Sequence, residues 1–160
     1  MGNTAVESSV GDEVIQLVTF RLKDETYGIN VMQVQEVLRV SEIAPVPGAA
    51  EYVLGIINLR GNVVTVIDTR TRFSLPTGEL DGASRIVIIE SEEQVVGILV
   101  DSVAEVVELH QSEIDSAPNV GNDESSRYIQ GVASRDEGLL IVVDLNKLLT
   151  EEEWSEMTAF

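Results

Sequence analysis

Two aspartates close matching apolar runs: VTVID ends at Asp68 and LIVVD ends at Asp144. Aspartic proteases share one proton between two such carboxylates, so the pair is weighed first as a catalytic dyad. That chemistry comes with a glycine-bearing turn, Asp-Thr-Gly or Asp-Ser-Gly. Here the successors are Thr69-Arg70 and Leu145-Asn146, and a cation beside an aspartate favours its ionised form and opposes proton sharing. Helix capping by Asp68 and Asp144 is therefore favoured, with an aspartic-type hydrolase as the remote alternative. His110 is the only histidine and there is no cysteine, so neither a zinc site nor a nucleophilic triad has its partners. Glu108 and Glu113 beside it fit a solvated turn. No Gly-x-x-x-x-Gly-Lys loop occurs. The chain is expected to have no catalytic residue, no metal and no cofactor.

Arg60 is the other residue with chemistry to offer. In GIINLRGNVVTVID, Gly55 to Asp68, two apolar arms flank an Arg60-Gly61-Asn62 loop, with Gly61 free to take a positive φ. Arg60 is then either a solvated turn residue or a placed one. Glu36 in MQVQEVL is a lone acid in an uncharged patch, and a five-donor guanidinium on a tight loop can pair with it across a neighbouring element.

The elements that must hold these residues repeat. GINVMQVQEVL from Gly28 matches GILVDSVAEVV from Gly97 at an offset of 69. YVLGIINL from Tyr52 matches YIQGVASR from Tyr128 at 76, and the same offset carries Asp68 onto Asp144. Ordered matches at near-constant spacing point to a duplication, with the polar NVGNDESSR at 119–127 as the place for extra residues. Asp136 falls opposite Arg60, so the hairpin plan is duplicated while its Arg-Gly is not. That asymmetry favours the placed arginine.

The elements read mostly as strands. VIQLVTFRL from Val14 largely alternates, and RIVIIE, VVGILV, VVTVI and LLIVV are short β-branched runs bounded by Gly, Asp or charge. Their brevity predicts small barrels or a sandwich. Short helices are predicted where Val31, Val34 and Leu38 share a helical face, after Asp68, and over LNKLLTEEEWSEM at the C-terminus. Residues 1–13 read as an acidic tail, 14–149 as one domain of two interleaved halves near 14–75 and 84–149, and 150–160 as the end of the C-terminal helix.

Composition bounds the partners. At 160 residues and 44% hydrophobic the chain is long and apolar enough to fold. It has no apolar run of the roughly 18 residues a membrane span needs, and its N-terminus lacks a basic start and an apolar signal core. A soluble, unexported protein is expected. The net charge of -18 repels phosphate backbones, which speaks against nucleic acid. The scarcity of lysine, two against eight arginines, fits a salt-adapted surface and predicts salt-dependent stability.

YGINVMQVQEV, PVPGAAEYVLGIINLRGNVVTVIDTRTRF, VVGILVDSVAEVV and LLIVVDLNKLL together strongly resemble CheW, the coupling protein family of bacterial and archaeal chemotaxis. The resemblance runs from about Val14 to Leu149. It implies a mainly β fold of two small five-stranded barrels with short helices and a C-terminal helix, with a groove between the barrels. It also implies a cytoplasmic adaptor at membrane-associated receptor arrays, with no reaction of its own and no membrane insertion. Its partners would be the cytoplasmic hairpin tip of chemoreceptors and the regulatory domain of the histidine kinase CheA. Carried onto this chain, the receptor-facing candidates are Val34, Glu36, Val37, Arg60, Gly61, Val103 and Val106. The kinase-facing candidates are Gly55, Ile57 and Val63. Thr65 and Thr69 depart from the Pro and Leu that many family members carry there. A regulatory module of another phosphorelay or a CheV-type protein is the alternative, and a barrel that encloses a small ligand is a third reading.

Overall fold

In the computed structural model, residues 13–73, 75–76, 78, 80–91, 94–115, 128–136, 138–149 and 152–153 are described. The tail at 1–12 and the polar stretch at 119–127 lie outside them. Eleven strands run in chain order: β1 (Val14–Leu22), β2 (Glu25–Asn30), β3 (Val34–Arg39), β4 (Val53–Leu59), β5 (Asn62–Asp68), β6 (Arg85–Ser91), β7 (Gln94–Val100), β8 (Ser102–His110), β9 (Ile114–Asp115), β10 (Ile129–Arg135) and β11 (Gly138–Val143). A short helix, α1 (Thr69–Arg72), and 3-10 turns at Val31–Gln33, Gln111–Glu113 and Leu145–Lys147 lie among the described residues as well.

The strands form two sheets, ordered β8-β1-β2-β11-β10-β9 and β3-β6-β7-β5-β4. Each takes a hairpin from one repeat and its other strands from the opposite one. β1 and β2 pair with each other, and with β8 and β11. β6 and β7 pair with each other, and with β3 and β5. An offset of 76 carries β4 onto β10 end to end. The chain is mainly β in two sheets, as expected, but two details of the expected pair of five-stranded barrels are corrected. The sheets have six and five strands, and neither closes by a ladder between its edge strands. In the five-stranded sheet the chain after β3 instead bridges onto β4 through Ala44 and Ile56. In the other, β8 runs through a 3-10 turn into β9, which pairs with β10.

Two-sided burial explains why the strands read as unbroken apolar runs. Neighbouring residues point to opposite faces, one into a sheet's own interior and the next into a core shared between the sheets. Leu17 and Val142 belong to the interior of the six-stranded sheet. Val66, Ile86 and Ile88 fill that of the five-stranded sheet. Val18, Ile67, Val87, Ile89 and Val143 enter the shared core. There Phe20, Tyr27, Phe73 and Tyr128 form a chain of ring contacts with centroids 5.7, 5.3 and 4.7 Å apart.

Polar groups tie the junction. Arg72 lies over the Tyr52 ring at 4.8 Å, donates from Nε to the Leu148 carbonyl at 2.8 Å and forks onto Glu153 at 3.0 and 2.8 Å. Arg70 forks onto Asp101, with one bond of 2.9 Å from Nε, and Asp101 also accepts the Lys23 N–H at 2.7 Å. Burial alone would raise the Asp101 pKa, but hydrogen bonds from Arg70 and the Lys23 N–H hold it below the ordinary aspartate value. This cluster joins the β1–β2 turn of one sheet to α1 and the end of β7 in the other.

The helix predicted from Val31, Val34 and Leu38 is overturned. Only Val31–Gln33 makes a helical turn, and Val34–Arg39 is a strand in which half-buried and exposed residues alternate. Val34 and Leu38, four residues apart, share a face of a strand as well as of a helix, and Val31 lies in the 3-10 turn before the strand, where a spacing of three also shares a face. The C-terminal segment begins with a single 3-10 turn at Leu145–Lys147, is helical at 152–153, and beyond that lies outside the described residues.

Candidate docking surfaces

The β4–β5 hairpin closes in two residues, with Leu59 opposite Asn62. Asn62 therefore belongs to the ladder rather than to the expected three-residue loop. Arg60 and Gly61 have φ of 52° and 88°, the pair of positive values that a type I′ turn requires and that matches the twist of its strands. Gly61 takes this at no steric cost, whereas Arg60 holds a conformation unfavourable to a residue with a Cβ. The Gly61 N–H donates to Asn58 Oδ1 at 2.9 Å, fixing the turn.

From that turn Arg60 reaches Glu36 on β3. Its Nη1 donates to Oε1 at 3.2 Å and its Nη2 donates to Oε2, a two-pronged pair between the edge strands of the five-stranded sheet. The hydrogen bond from Arg60, assisted by its charge, holds the Glu36 carboxyl below the usual glutamate value. The Arg60 side chain is 69% exposed and that of Glu36 27%, so water screens the pair and its contribution to stability is small. What the pair does is hold a guanidinium and a carboxylate in a set orientation at the surface.

The valines assigned to the receptor form two matched pairs at the offset of 69. Val34 and Val103 are half-buried and pack against the shared core, whereas Val37 and Val106 are 41% and 55% exposed. Large apolar side chains that remain open to solvent at matched positions of β3 and β8 are available to a partner.

The kinase-facing candidates divide. Gly55 is buried, and a Cβ there would stand 2.2 Å from the Ala44 carbonyl oxygen. It is glycine because the Ala44–Ile56 bridge passes over it. Ile57 is a core residue, 5% exposed, whereas Val63 is 62% exposed. Ile57 and Val63 do line one open groove of about 510 Å3, together with Ile43, Pro45 and Ile56. The last three were not among the sequence candidates, although two prolines in an apolar stretch, IAPVPG, mark a sheet edge left without donors.

The two aspartates serve as caps. Asp68 accepts from the Arg70 N–H at 3.2 Å and the Thr71 hydroxyl at 3.0 Å, and Asp144 accepts from the Asn146 N–H at 3.0 Å. His110 is exposed and starts the 3-10 turn whose Glu113 accepts its N–H at 2.8 Å. Among the described residues no cluster of acids and histidine could hold a metal ion, and no helix is long and apolar enough to cross a membrane.

Comparison with known proteins agrees with this geometry. Residues 16–153 match the CheW-like domain family. The chain is 36% identical to the chemotaxis protein CheW of Treponema pallidum, over 95% of this chain and 92% of the relative. It is 35% identical to that of Bacillus subtilis, over 86% and 88%. Protein FrzA of Myxococcus xanthus is 26% identical over 81% and 82%. The crystal structure of the scaffolding protein TtCheW from Thermoanaerobacter tengcongensis superposes with a TM-score of 0.77 at 34% identity, covering 84% of this chain and 91% of that one. With the swapped sheets, the repeated aspartate caps and the Arg-Gly turn, these matches establish that the chain belongs to the CheW-like domain family.

Proposed function

We propose that this protein is a chemotaxis adaptor that couples chemoreceptors to the histidine kinase CheA and performs no reaction of its own. The observation that carries the proposal is the presence of large apolar side chains left open to solvent on several strands of one body: Val37 and Val106 on β3 and β8, and Val63 in its groove on β5. An adaptor needs two docking faces that do not compete. On this reading the valine face, with Val34 and Val103 beneath it, takes the helical cytoplasmic tip of the receptor, and Arg60, Gly61 and Glu36 orient it. The Val63 groove takes the kinase regulatory domain, with Gly55 and Ile57 shaping the hairpin from within. The protein then works in the cytoplasm at membrane-associated receptor arrays, where weak contacts are strengthened by multivalency.

Reconstitution of receptor-bearing membranes, kinase and this protein tests the proposal, with kinase activity as readout. Kinase activity that rises only when all three are present supports coupling. Unchanged activity, with the protein left in the supernatant after sedimentation of the membranes, would sink it.

A further inference from the structure

A trough of about 450 Å3 lies against the six-stranded sheet. Its floor is Ile15, Leu17 and Val142; the last two are core residues of that sheet's interior, and Ile15 packs on them. Its rim is made of carboxamides brought from five places in the chain. Asn30 ends β2, Gln33 lies in the 3-10 turn after it, Gln111 in the turn after β8, Gln130 on β10 and Asn146 in the turn after β11. The chain has only thirteen carboxamides, so more than a third of them converge on one opening. Gln33 Nε2 donates to Asn146 Oδ1 at 3.2 Å across it.

The rim is not repeated in the other half of the chain, although Asn30 also caps the 3-10 turn after β2, its Oδ1 accepting the Met32 N–H at 2.9 Å. At the offset of 69, Asn30 and Gln33 correspond to Leu99 and Ser102, and at 76, Gln130 and Asn146 correspond to Leu54 and Arg70. The trough is also a neutral window in a protein of net charge -18. Among the described residues Asp144 is its one ionisable lining residue, and that carboxylate accepts the Asn146 N–H. An anionic ligand would meet no cation there, and a cation only one carboxylate that is already engaged; either would lose hydration for little return. A carboxamide offers N–H donors and a C=O acceptor on one plane, the same pattern as a peptide unit.

We propose that this trough binds a short, uncharged, extended polypeptide segment of a partner. Its main-chain amides meet the carboxamide rim, and one aliphatic side chain rests on the Ile15, Leu17 and Val142 floor. The volume lies within the range of ordinary ligand sites. None of its lining residues belongs to the receptor-facing or kinase-facing sets, so its test is independent of the coupling reading.

Titration of the full 15N-labelled chain with acetyl-Ser-Val-Ser-amide tests this, because side-chain NH2 signals report directly on the rim. Saturable shifts are expected at Gln33, Gln130 and Asn146. Gln130 is exposed, so Gln130→Ala should keep the melting temperature and weaken the peptide by about tenfold. The Asp-Val-Asp and Lys-Val-Lys analogues should bind more weakly than the neutral probe. No saturable shift at millimolar peptide, equal binding by Gln130→Ala, or a stronger response to maltose than to peptide would overturn the proposal; the last would mark a carbohydrate site.

Discussion

The β4–β5 and β10–β11 hairpins are the same construction carried out twice. Both contain a register shift at a glycine, Gly55 or Gly131. In both, a Tyr carbonyl accepts the N–H of the closing aspartate at 2.8 Å, Tyr52 with Asp68 and Tyr128 with Asp144. A Cβ at Gly131 would come within 2.6 Å of the Asp115 carbonyl oxygen, as one at Gly55 would meet that of Ala44. The turns then diverge: Arg60 in the first hairpin holds Glu36, and Asp136 stands at the matching position of the second. Residues common to both hairpins build sheets, and on the proposed function residues found in one only recognise partners.

The largest effect is expected where the hairpins agree. Gly55→Val and Gly131→Val each force a side chain into a backbone carbonyl and should each cost about 3 kcal/mol or more in urea unfolding. If either is tolerated with an unchanged midpoint, the two glycines do not do the same job.

The next tests act where the hairpins look alike but should act differently. Val63 and Leu139 are matched at the offset of 76 and are 62% and 57% exposed. Val63→Glu should weaken binary binding to the kinase regulatory domain by about tenfold or more, and Leu139→Glu should leave it within about twofold. Calorimetry that finds equal losses would make the two surfaces equivalent. Thr69 and Leu145 are also matched, both 1% exposed. Thr69 Oγ1 is buried without a hydrogen-bond partner among the described residues, so Thr69→Leu should raise unfolding free energy by about 1 kcal/mol; a loss instead would show that the first site has no room for the larger side chain.

The smallest expected effect is on pH. The Glu36 carboxyl titrates below its unfolded value because Arg60 donates to it. The contribution of the pair is therefore present above the unfolded pKa and is lost as pH falls through the folded one, on the acid side of the ordinary glutamate value. Receptor affinities of the native chain and of Glu36→Gln should differ near neutrality and converge in acid. A gap that persists unchanged at low pH would separate Glu36 from its pairing role.

Much of this was legible in the sequence because its signals are local or repeated. Strand runs bounded by Gly and Asp fixed most elements, and the offsets of 69 and 76 map one set of strands onto the other. The Arg60–Glu36 pair followed from a lone acid and an unduplicated arginine, and the caps at Asp68 and Asp144 from residues that fit no protease turn. β3 reads as helical because Val34 and Leu38, four apart, satisfy both periods, and Val31 in the preceding 3-10 turn adds a helical spacing of three. The exchange of hairpins between sheets left no local mark, since it concerns which strands meet rather than what each strand is. Gly55 was assigned to a contact surface although Tyr-x-x-Gly recurs at 76, and that recurrence was the available sign of a backbone crossing shared by both hairpins.

The central claim is that Arg60 serves what only the first hairpin does. Arg60→Ala and Asp136→Ala, compared in the reconstituted system of receptor, kinase and adaptor, test it most directly. The account predicts that Arg60→Ala lowers receptor-dependent kinase activity by about tenfold, with little change in melting temperature, and that Asp136→Ala stays near the native level. Equal activity in both variants, or a loss with Arg60→Ala that only tracks a fall in melting temperature, would contradict it.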